Sequence, residues 1–187
     1  MMNSPPASFG TVAIVGVGLI GGSLAAALKT AGVRKVLGVG RNPTRLRGAL
    51  DLGLIDSFTD SLAEGARADL IVFCTPVDRI VSGIREIAPH CSPGTLVTDA
   101  GSVKANICRA LTKGLPSGVN FIGSHPIAGS EKQGYEAARS DLFHGKTCVV
   151  TPTEQSIRTA FERTKLFWES VGCRVVELSP ERHDEIL

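Results

Sequence analysis

Short apolar segments alternate along the chain with longer segments in which apolar residues recur every three or four positions. The short, β-branched segments predict strands, and the longer segments predict helices. The predicted strands are residues 11–15, 35–39, 70–74, 96–99, 121–124, 147–150 and 174–178. The predicted helices are residues 19–31, 43–52, 77–88, 103–115 and 155–170. This alternation is typical of an α/β fold: a doubly wound, mainly parallel sheet with helices on both faces and right-handed connections.

Composition narrows the class of protein without identifying it. The 187 residues are 43% hydrophobic and 20% charged, which suits one folded domain rather than a disordered chain. A net charge of +2 argues against general binding of nucleic acid or of membrane surfaces. No apolar run is long enough to span a bilayer, and the first ten residues do not resemble a signal peptide. We therefore expect a cytoplasmic protein.

The cysteines and histidines give no sign of a disulfide framework or a metal site. The five cysteines are scattered, and no two of them form a C-x-x-C pair. His90 lies at a predicted helix end and His144 in a predicted loop. No two histidines have the spacing of metal ligands. We therefore expect reduced thiols and no bound metal.

A glycine-rich segment follows the first predicted strand and opens the first predicted helix. Residues 16–21, GVGLIG, match the G-x-G-x-x-G pattern. In that pattern Gly16 allows the tight turn, Gly18 lets the backbone approach a pyrophosphate, and Gly21 lets helix and strand pack closely. This placement favours a dinucleotide site in a Rossmann-type sheet over a plain turn without a ligand. The residues expected to bind the phosphates are Gly16, Gly18, Leu19, Ile20 and Gly21.

The end of the second predicted strand indicates which nicotinamide cofactor this turn would bind. NAD sites place Asp or Glu about 20 residues after the turn, to bind the ribose hydroxyls. Here Gly40 and Arg41 occupy that position, and no Asp or Glu precedes Asp51, whereas six Lys and Arg do. Arg41 could grip a 2′-phosphate, and Arg45, one helical turn later, could assist. We therefore expect NADP rather than NAD.

Three further polar segments follow predicted strands, at the edge of the sheet where such folds bind ligands. Cys74, Thr75 and Pro76 form a turn that either borders the nicotinamide-side ribose or simply begins a helix. Ser102 either caps the helix predicted from residue 103 or faces cofactor and substrate, and the two roles are compatible. His125, just past a predicted strand end, is a candidate acid or base because histidine titrates near neutrality.

Taken together, these segments resemble the prephenate and arogenate dehydrogenase family of tyrosine biosynthesis. The resemblance extends from the glycine turn to Asp184, nearly the whole chain. Its order and spacing are far more specific than the glycine pattern alone. The matching pieces are GVGLIGGS at 16–23, LGLID at 52–56, CTPV at 74–77, TDAGSVK at 98–104, GSHPIAGSE at 123–131 and HD at 183–184.

The resemblance implies an oxidative decarboxylation. Hydride passes from ring C4 of prephenate or arogenate to the nicotinamide, while a base takes the proton of the C4 hydroxyl. Carbon dioxide is lost and the ring becomes aromatic. The resemblance further implies that His125 accepts the hydrogen bond of that hydroxyl and that Ser102 orients the hydroxyl and the histidine. The pair Gly40 and Arg41 resembles the family's NADP users.

The resemblance also divides the chain. We expect residues 1–10 to be a flexible N-terminus, residues 11–178 to form the dinucleotide-binding domain and residues 179–187 to begin a helical domain. In the family, that second domain forms a homodimer and supplies an arginine for the substrate carboxylate. We therefore expect the main homodimer interface to be absent from the 187 residues.

Two other interpretations remain open from the sequence. The first is a module that binds NADP without turnover, because the residues of the second domain are missing. The second is a reductase of the hydroxyisobutyrate dehydrogenase type, which shares the glycine turn but relies on a lysine in its helical domain. The segments GSHPIAG and GSVK argue against the second interpretation.

Overall fold

The computed structural model describes residues 9–187, so the expected flexible N-terminus falls almost entirely outside the described residues. Eight strands form one sheet in the order β3-β2-β1-β4-β5-β6-β7-β8. Every neighbouring pair is parallel except β6 and β7, which are antiparallel. The strands are β1 Thr11–Val15, β2 Lys35–Val39, β3 Ser57–Thr59, β4 Leu70–Phe73, β5 Leu96–Asp99, β6 Asn120–Pro126, β7 Thr147–Thr151 and β8 Arg174–Glu177. The predicted doubly wound, mainly parallel Rossmann-type sheet is confirmed.

Seven α-helices connect and cover the strands within the described residues. They are α1 Leu19–Thr30, α2 Pro43–Asp51, α3 Leu62–Gly65, α4 Val77–Ile87, α5 Ala105–Leu111, α6 Arg158–Ser170 and α7 Pro180–Ile186. Short 3₁₀ turns lie at Ala88–His90 and Tyr135–Ala137. Two predicted helix starts are wrong by two or three residues, because α5 begins at Ala105 and α6 at Arg158.

Two elements were missing from the sequence prediction. β3 has three residues and α3 has four, so neither is long enough to show a hydrophobic period. Their positions are set by neighbours, since β3 pairs in parallel with β2. Ser61 then caps α3 by accepting the amide of Glu64.

The sheet is buried on both faces, as a parallel sheet must be. In β1, Val12 and Ile14 face one apolar layer, while Ala13 and Val15 face the other. The first layer contains α1 and α6, whose Trp168 is fully buried. The second contains apolar residues of α4 and α5. This two-sided core holds the strand ends in fixed relative positions.

The chain changes direction across the sheet between β1 and β4. From β1 the order runs outward through β2 and β3 on one side, and through β4, β5 and β6 on the other. The connections after β1 and β4 therefore diverge at their carboxyl ends and leave a crevice, the usual ligand site of such sheets. The glycine turn follows β1 and the Cys74–Pro76 turn follows β4, so both border this crevice.

No helix within residues 9–187 is long and apolar enough to cross a membrane. Over the same residues, His, Cys, Asp and Glu side chains form no group of three that could hold a metal ion.

Candidate active site

The glycine turn between β1 and α1 is tightly packed at two glycines and open at the third. Gly16 has a φ of +96°, which side chains disfavour, and a Cβ there would lie 2.9 Å from the Cys74 carbonyl oxygen. A Cβ on Gly21 would collide with the Gly16 carbonyl oxygen. A Cβ on Gly18 would meet no protein atom within 4 Å. The backbone at Gly18 is therefore free to approach a pyrophosphate.

The first turn of α1 presents backbone amides to this open space. Gly18 is the N-cap, no side chain caps the helix, and the first turn contains no acidic residue. By contrast, Asn42 caps α2 through its side chain. The first amides of a helix have no partner within the helix, and they lie at the positive end of its dipole. The amides of Leu19 and Ile20 are thus available to an anionic group.

A cavity of about 640 Å³ extends from the glycine turn between the ends of β2 and β4. Its wall includes Gly40, Arg41 and Arg45, the three residues predicted to surround the ribose. Arg47 lies on the same helix as Arg45 but does not line the cavity, because its guanidinium stacks over the Phe58 ring with 5.0 Å to the centroid. Arg41 and Arg45 therefore lie at the predicted ribose site, whereas Arg47 packs on an aromatic ring outside the cavity.

Carboxylates that sequence reasoning missed also line this cavity. Asp60 directly follows β3 and was overlooked because β3 was not predicted. The pairing of β3 with β2 brings Asp60 to the same edge of the sheet, where the Gly40 amide donates to the Thr59 carbonyl oxygen at 3.2 Å. The charged residues that line the cavity are Arg41, Arg45, Arg79, Asp60, Asp78 and Glu86. The basic and acidic charges balance, so affinity for a phosphate depends on which of them faces it.

The turn after β4 contributes Thr75 and Pro76 to the wall of the cavity. The Thr75 Oγ1 is buried without a hydrogen-bond partner among the described residues. A buried hydroxyl without a partner is uncommon and suits a ligand hydroxyl or amide. Cys74 instead packs its carbonyl against Gly16, and burial raises the pKa of its thiol to about 12. Cys74 is therefore a neutral packing residue.

A buried ion pair organises the loop after β5. Asp99 and Lys104 are both fully buried, and the Lys104 ammonium donates to Asp99 Oδ2. The same carboxylate accepts the amides of Gly101 at 2.9 Å and Ser124 at 3.1 Å. Asp99 therefore ties the loop that carries Ser102 to β6, the strand that carries His125.

The predicted capping role of Ser102 is wrong. The N-cap of α5 is Lys104, and no neighbouring side chain caps the helix. The Asp184 carboxylate accepts the amides of Lys104 at 2.7 Å and Ala105 at 2.9 Å instead. A carboxylate from α7, distant in sequence, thus supplies the acceptor that the local pattern assigned to Ser102. Ser102 is left exposed in the loop between β5 and α5.

His125 lies inside β6 rather than just past its end. The last four residues of β6, 123–126, extend beyond the β5 pairing and pair with β7, which lengthens the strand. The half-buried ring still sits at the carboxyl edge of the parallel strands, as the sequence predicted. Burial, His183 and Lys104 together lower the pKa of His125 to about 4, although Asp184 opposes them. His125 is therefore neutral near pH 7, the form that accepts a proton.

Two residues of α7 reach His125 through hydrogen bonds. His125 Nδ1 lies 2.8 Å from His183 Nε2, and His183 Nδ1 lies 2.6 Å from Asp184 Oδ1. His183 is fully buried. Burial opposes ionisation of Asp184, but the Lys104 and Ala105 amides and His183 lower the pKa of its carboxyl below the usual value. Sequence reasoning gave neither residue a role; their only signal was the HD pair at 183–184.

Comparison with known proteins shows which family the chain resembles. The family described as "Prephenate dehydrogenase, nucleotide-binding domain" matches residues 24–177. The prephenate dehydrogenase of Bacillus subtilis is 34% identical over 179 residues, which cover 94% of this chain and 48% of that protein.

Solved structures agree with this match. The structure of prephenate dehydrogenase from Aquifex aeolicus, in complex with hydroxyphenyl propionate and NAD+, is 36% identical with a TM-score of 0.89. The alignment covers 96% of this chain and 63% of that one. Synechocystis arogenate dehydrogenase is 31% identical with a TM-score of 0.85, over 94% of this chain and 62% of that one.

The chain thus spans about half to two-thirds of the length of the relatives it matches. The family match alone covers most of its residues. Its eight-stranded sheet and the glycine turn after β1 are those expected of a nucleotide-binding domain. The chain belongs to the prephenate dehydrogenase family and contains its nucleotide-binding domain.

Proposed function

We propose that this protein is an NADP-dependent dehydrogenase that oxidises and decarboxylates prephenate or arogenate. The observation that carries the proposal is the placement of a neutral histidine, His125, at the same edge of the sheet as the glycine turn. Residues that would hold a dinucleotide in the crevice are Gly16 and Arg41, which line the cavity, and Gly18, where a Cβ would meet no protein atom within 4 Å. We assign this reaction to tyrosine biosynthesis, and the similarity to proteins named prephenate dehydrogenase and arogenate dehydrogenase supports the assignment.

Two roles in this chemistry have a candidate residue in this chain. A bound nicotinamide would supply the acceptor for the hydride that leaves ring C4. His125 takes the proton of the C4 hydroxyl, so that the carbonyl forms as hydride departs. Ser102, exposed at the same edge, is the residue we assign to orienting that hydroxyl. Loss of carbon dioxide from C1 returns its bonding electrons to the ring and makes it aromatic.

Cofactor choice follows from the end of β2 in this proposal. No carboxylate follows β2 directly, and Arg41 and Arg45 line the cavity there. A guanidinium can bind a 2′-phosphate through two parallel hydrogen bonds, whereas a carboxylate would repel it. Asp60, which directly follows β3 and lines the cavity, is the residue that could instead serve a ribose hydroxyl.

Replacing Arg41 by glutamine is expected to weaken NADP binding by at least about tenfold and to leave NAD binding unchanged. The reason is that hydrogen bonds to charged groups each contribute about 1.5–3 kcal/mol, and only NADP carries the 2′-phosphate. Calorimetric titration of both cofactors measures the two affinities. Arg47→Gln is the matched control, because Arg47 stacks on Phe58 outside the cavity. Wild-type protein that binds NAD more tightly than NADP would contradict the cofactor assignment.

The proposed function as a whole is tested by incubating the protein with NADP and prephenate or arogenate. The expected products are reduced cofactor, carbon dioxide and 4-hydroxyphenylpyruvate or tyrosine. Binding of NADP without reduction by either acid would instead support a module that binds the cofactor without turnover.

A further inference from the structure

The hydrogen bonds between α7 and β6 determine which ring nitrogens carry protons. Asp184 is held as a carboxylate, and a carboxylate only accepts hydrogen bonds. At 2.6 Å from Asp184 Oδ1, His183 Nδ1 must therefore carry the hydrogen. In the neutral imidazole, the other nitrogen, Nε2, is then an acceptor.

The same reasoning continues to His125. Its Nδ1 lies 2.8 Å from the acceptor Nε2 of His183, so Nδ1 must donate. Nε2 of His125 then carries the lone pair. Nε2 of His125 makes no hydrogen bond within residues 9–187. It is also not buried, so it is accessible to a ligand. The accessible nitrogen of the ring is thus the one able to accept a proton.

We propose that Asp184 and His183 are positioning residues that fix the tautomer of His125 and make its Nε2 the proton-accepting atom. This inference rests on the proposed role of His125 as the base. In this arrangement Asp184 and His183 act through His125. They act as the orienting carboxylate acts in a serine–histidine–aspartate triad, with a second histidine interposed.

Groups around Asp184 and His183 favour one polarity of these hydrogen bonds, in which His125 donates to His183 and His183 donates to Asp184. Two backbone amides, of Lys104 and Ala105, anchor the Asp184 carboxylate, and full burial of His183 excludes water from the middle position. Lys104, the nearest buried cation, is already paired with Asp99 and donates no hydrogen bond to Asp184 from its ammonium group. The opposite polarity would require either a protonated Asp184, which its lowered pKa disfavours, or an imidazolium at His183 that donates from both ring nitrogens, and the ¹⁵N chemical shifts of the two rings distinguish these states.

The tautomer can be measured directly by ¹⁵N NMR of the histidine rings, because the protonated and unprotonated nitrogens have distinct chemical shifts. At pH 7, where His125 is neutral, we expect its Nδ1 to be protonated and its Nε2 to be bare in the wild-type protein. A His125 ring protonated at Nε2 would overturn the proposal. The measurement needs neither substrate nor turnover, so its outcome is independent of the proposed reaction.

A substitution of Asp184 tests whether this carboxylate fixes the tautomer of His125. Asp184→Asn replaces one acceptor oxygen by an NH₂ donor, so the fixed polarity is lost and the Nε2-protonated form of His125 becomes populated. We expect kcat to fall at least tenfold while KM changes less than about twofold, because the base is mis-protonated and not removed. Asp141→Asn is the control, since Asp141 is an exposed carboxylate paired with Arg139. An unchanged tautomer in Asp184→Asn would also overturn the proposal.

Discussion

Replacing His125 by asparagine is expected to lower kcat by about 100- to 10,000-fold, the usual contribution of a positioned general base. Asparagine keeps a polar side chain that can donate to His183, so β6 keeps its pairing with β7. It has no group that accepts a proton near neutral pH. Steady-state kinetics with NADP and prephenate or arogenate measures the loss.

The dissociation constant for NADP is expected to be unchanged by the same substitution. The glycine turn and the arginines that line the cavity are separate from His125 in the fold, and calorimetry reports on them alone. His144→Asn is the control for the substitution itself, because His144 lies in an exposed loop. A His125→Asn protein that retains wild-type kcat would reject the assigned base.

The pH dependence of wild-type turnover offers an independent readout of this base. An isolated histidine would lose its proton-accepting form as the pH falls through 6.5. Because burial, His183 and Lys104 lower the pKa of His125 to about 4, the neutral form persists through that range. We therefore expect kcat/KM to stay level as the pH falls through 6.5 and to decline only as it approaches 4.

Replacing Lys104 by methionine is expected to lower the free energy of unfolding by about 3–5 kcal/mol. The substitution removes the ammonium group and leaves the fully buried Asp99 carboxylate without a compensating charge. The amides of Gly101 and Ser124 remain as donors but do not neutralise it. Chemical denaturation followed by circular dichroism measures the change.

Two further variants separate this effect from the loss of any lysine. Lys29→Met removes a partly exposed pair with Asp56 and is expected to cost less than about 1 kcal/mol. The double variant Asp99→Asn with Lys104→Met removes both buried charges and is expected to recover much of the lost stability. Equal losses in Lys104→Met and Lys29→Met would show that the buried pair has no special role.

Local sequence patterns were sufficient to predict the parts of the fold that depend on residues close together in the sequence. The glycine turn could be predicted from Gly16, Gly18 and Gly21 because their spacing lies within one strand–turn–helix unit, although the contact that excludes a side chain at Gly16 comes from Cys74 after β4. The alternation of strands and helices gave the order of elements and the carboxyl edge where His125 lies. The same patterns placed Arg41 and Arg45 in the wall of the cavity.

What the sequence could not show depends on contacts between distant segments. Asp60 reaches the cavity only because a three-residue strand pairs with β2. The cap of α5 comes from Asp184, about 80 positions away, so the local pattern pointed to Ser102 instead. The hydrogen bonds from His183 to His125 likewise require α7 to pack beside β6. No period or spacing in the sequence predicts these long-range contacts.

In the proposed function, this chain binds NADP at the glycine turn and uses His125 as the base when prephenate or arogenate is oxidised. The decisive experiment mixes the protein with NADP and substrate deuterated at ring C4 and then examines the cofactor. We expect reduced NADP that carries the deuterium on its nicotinamide, together with release of carbon dioxide. Bound but unreduced NADP, with both prephenate and arogenate recovered unchanged, would contradict the proposed function.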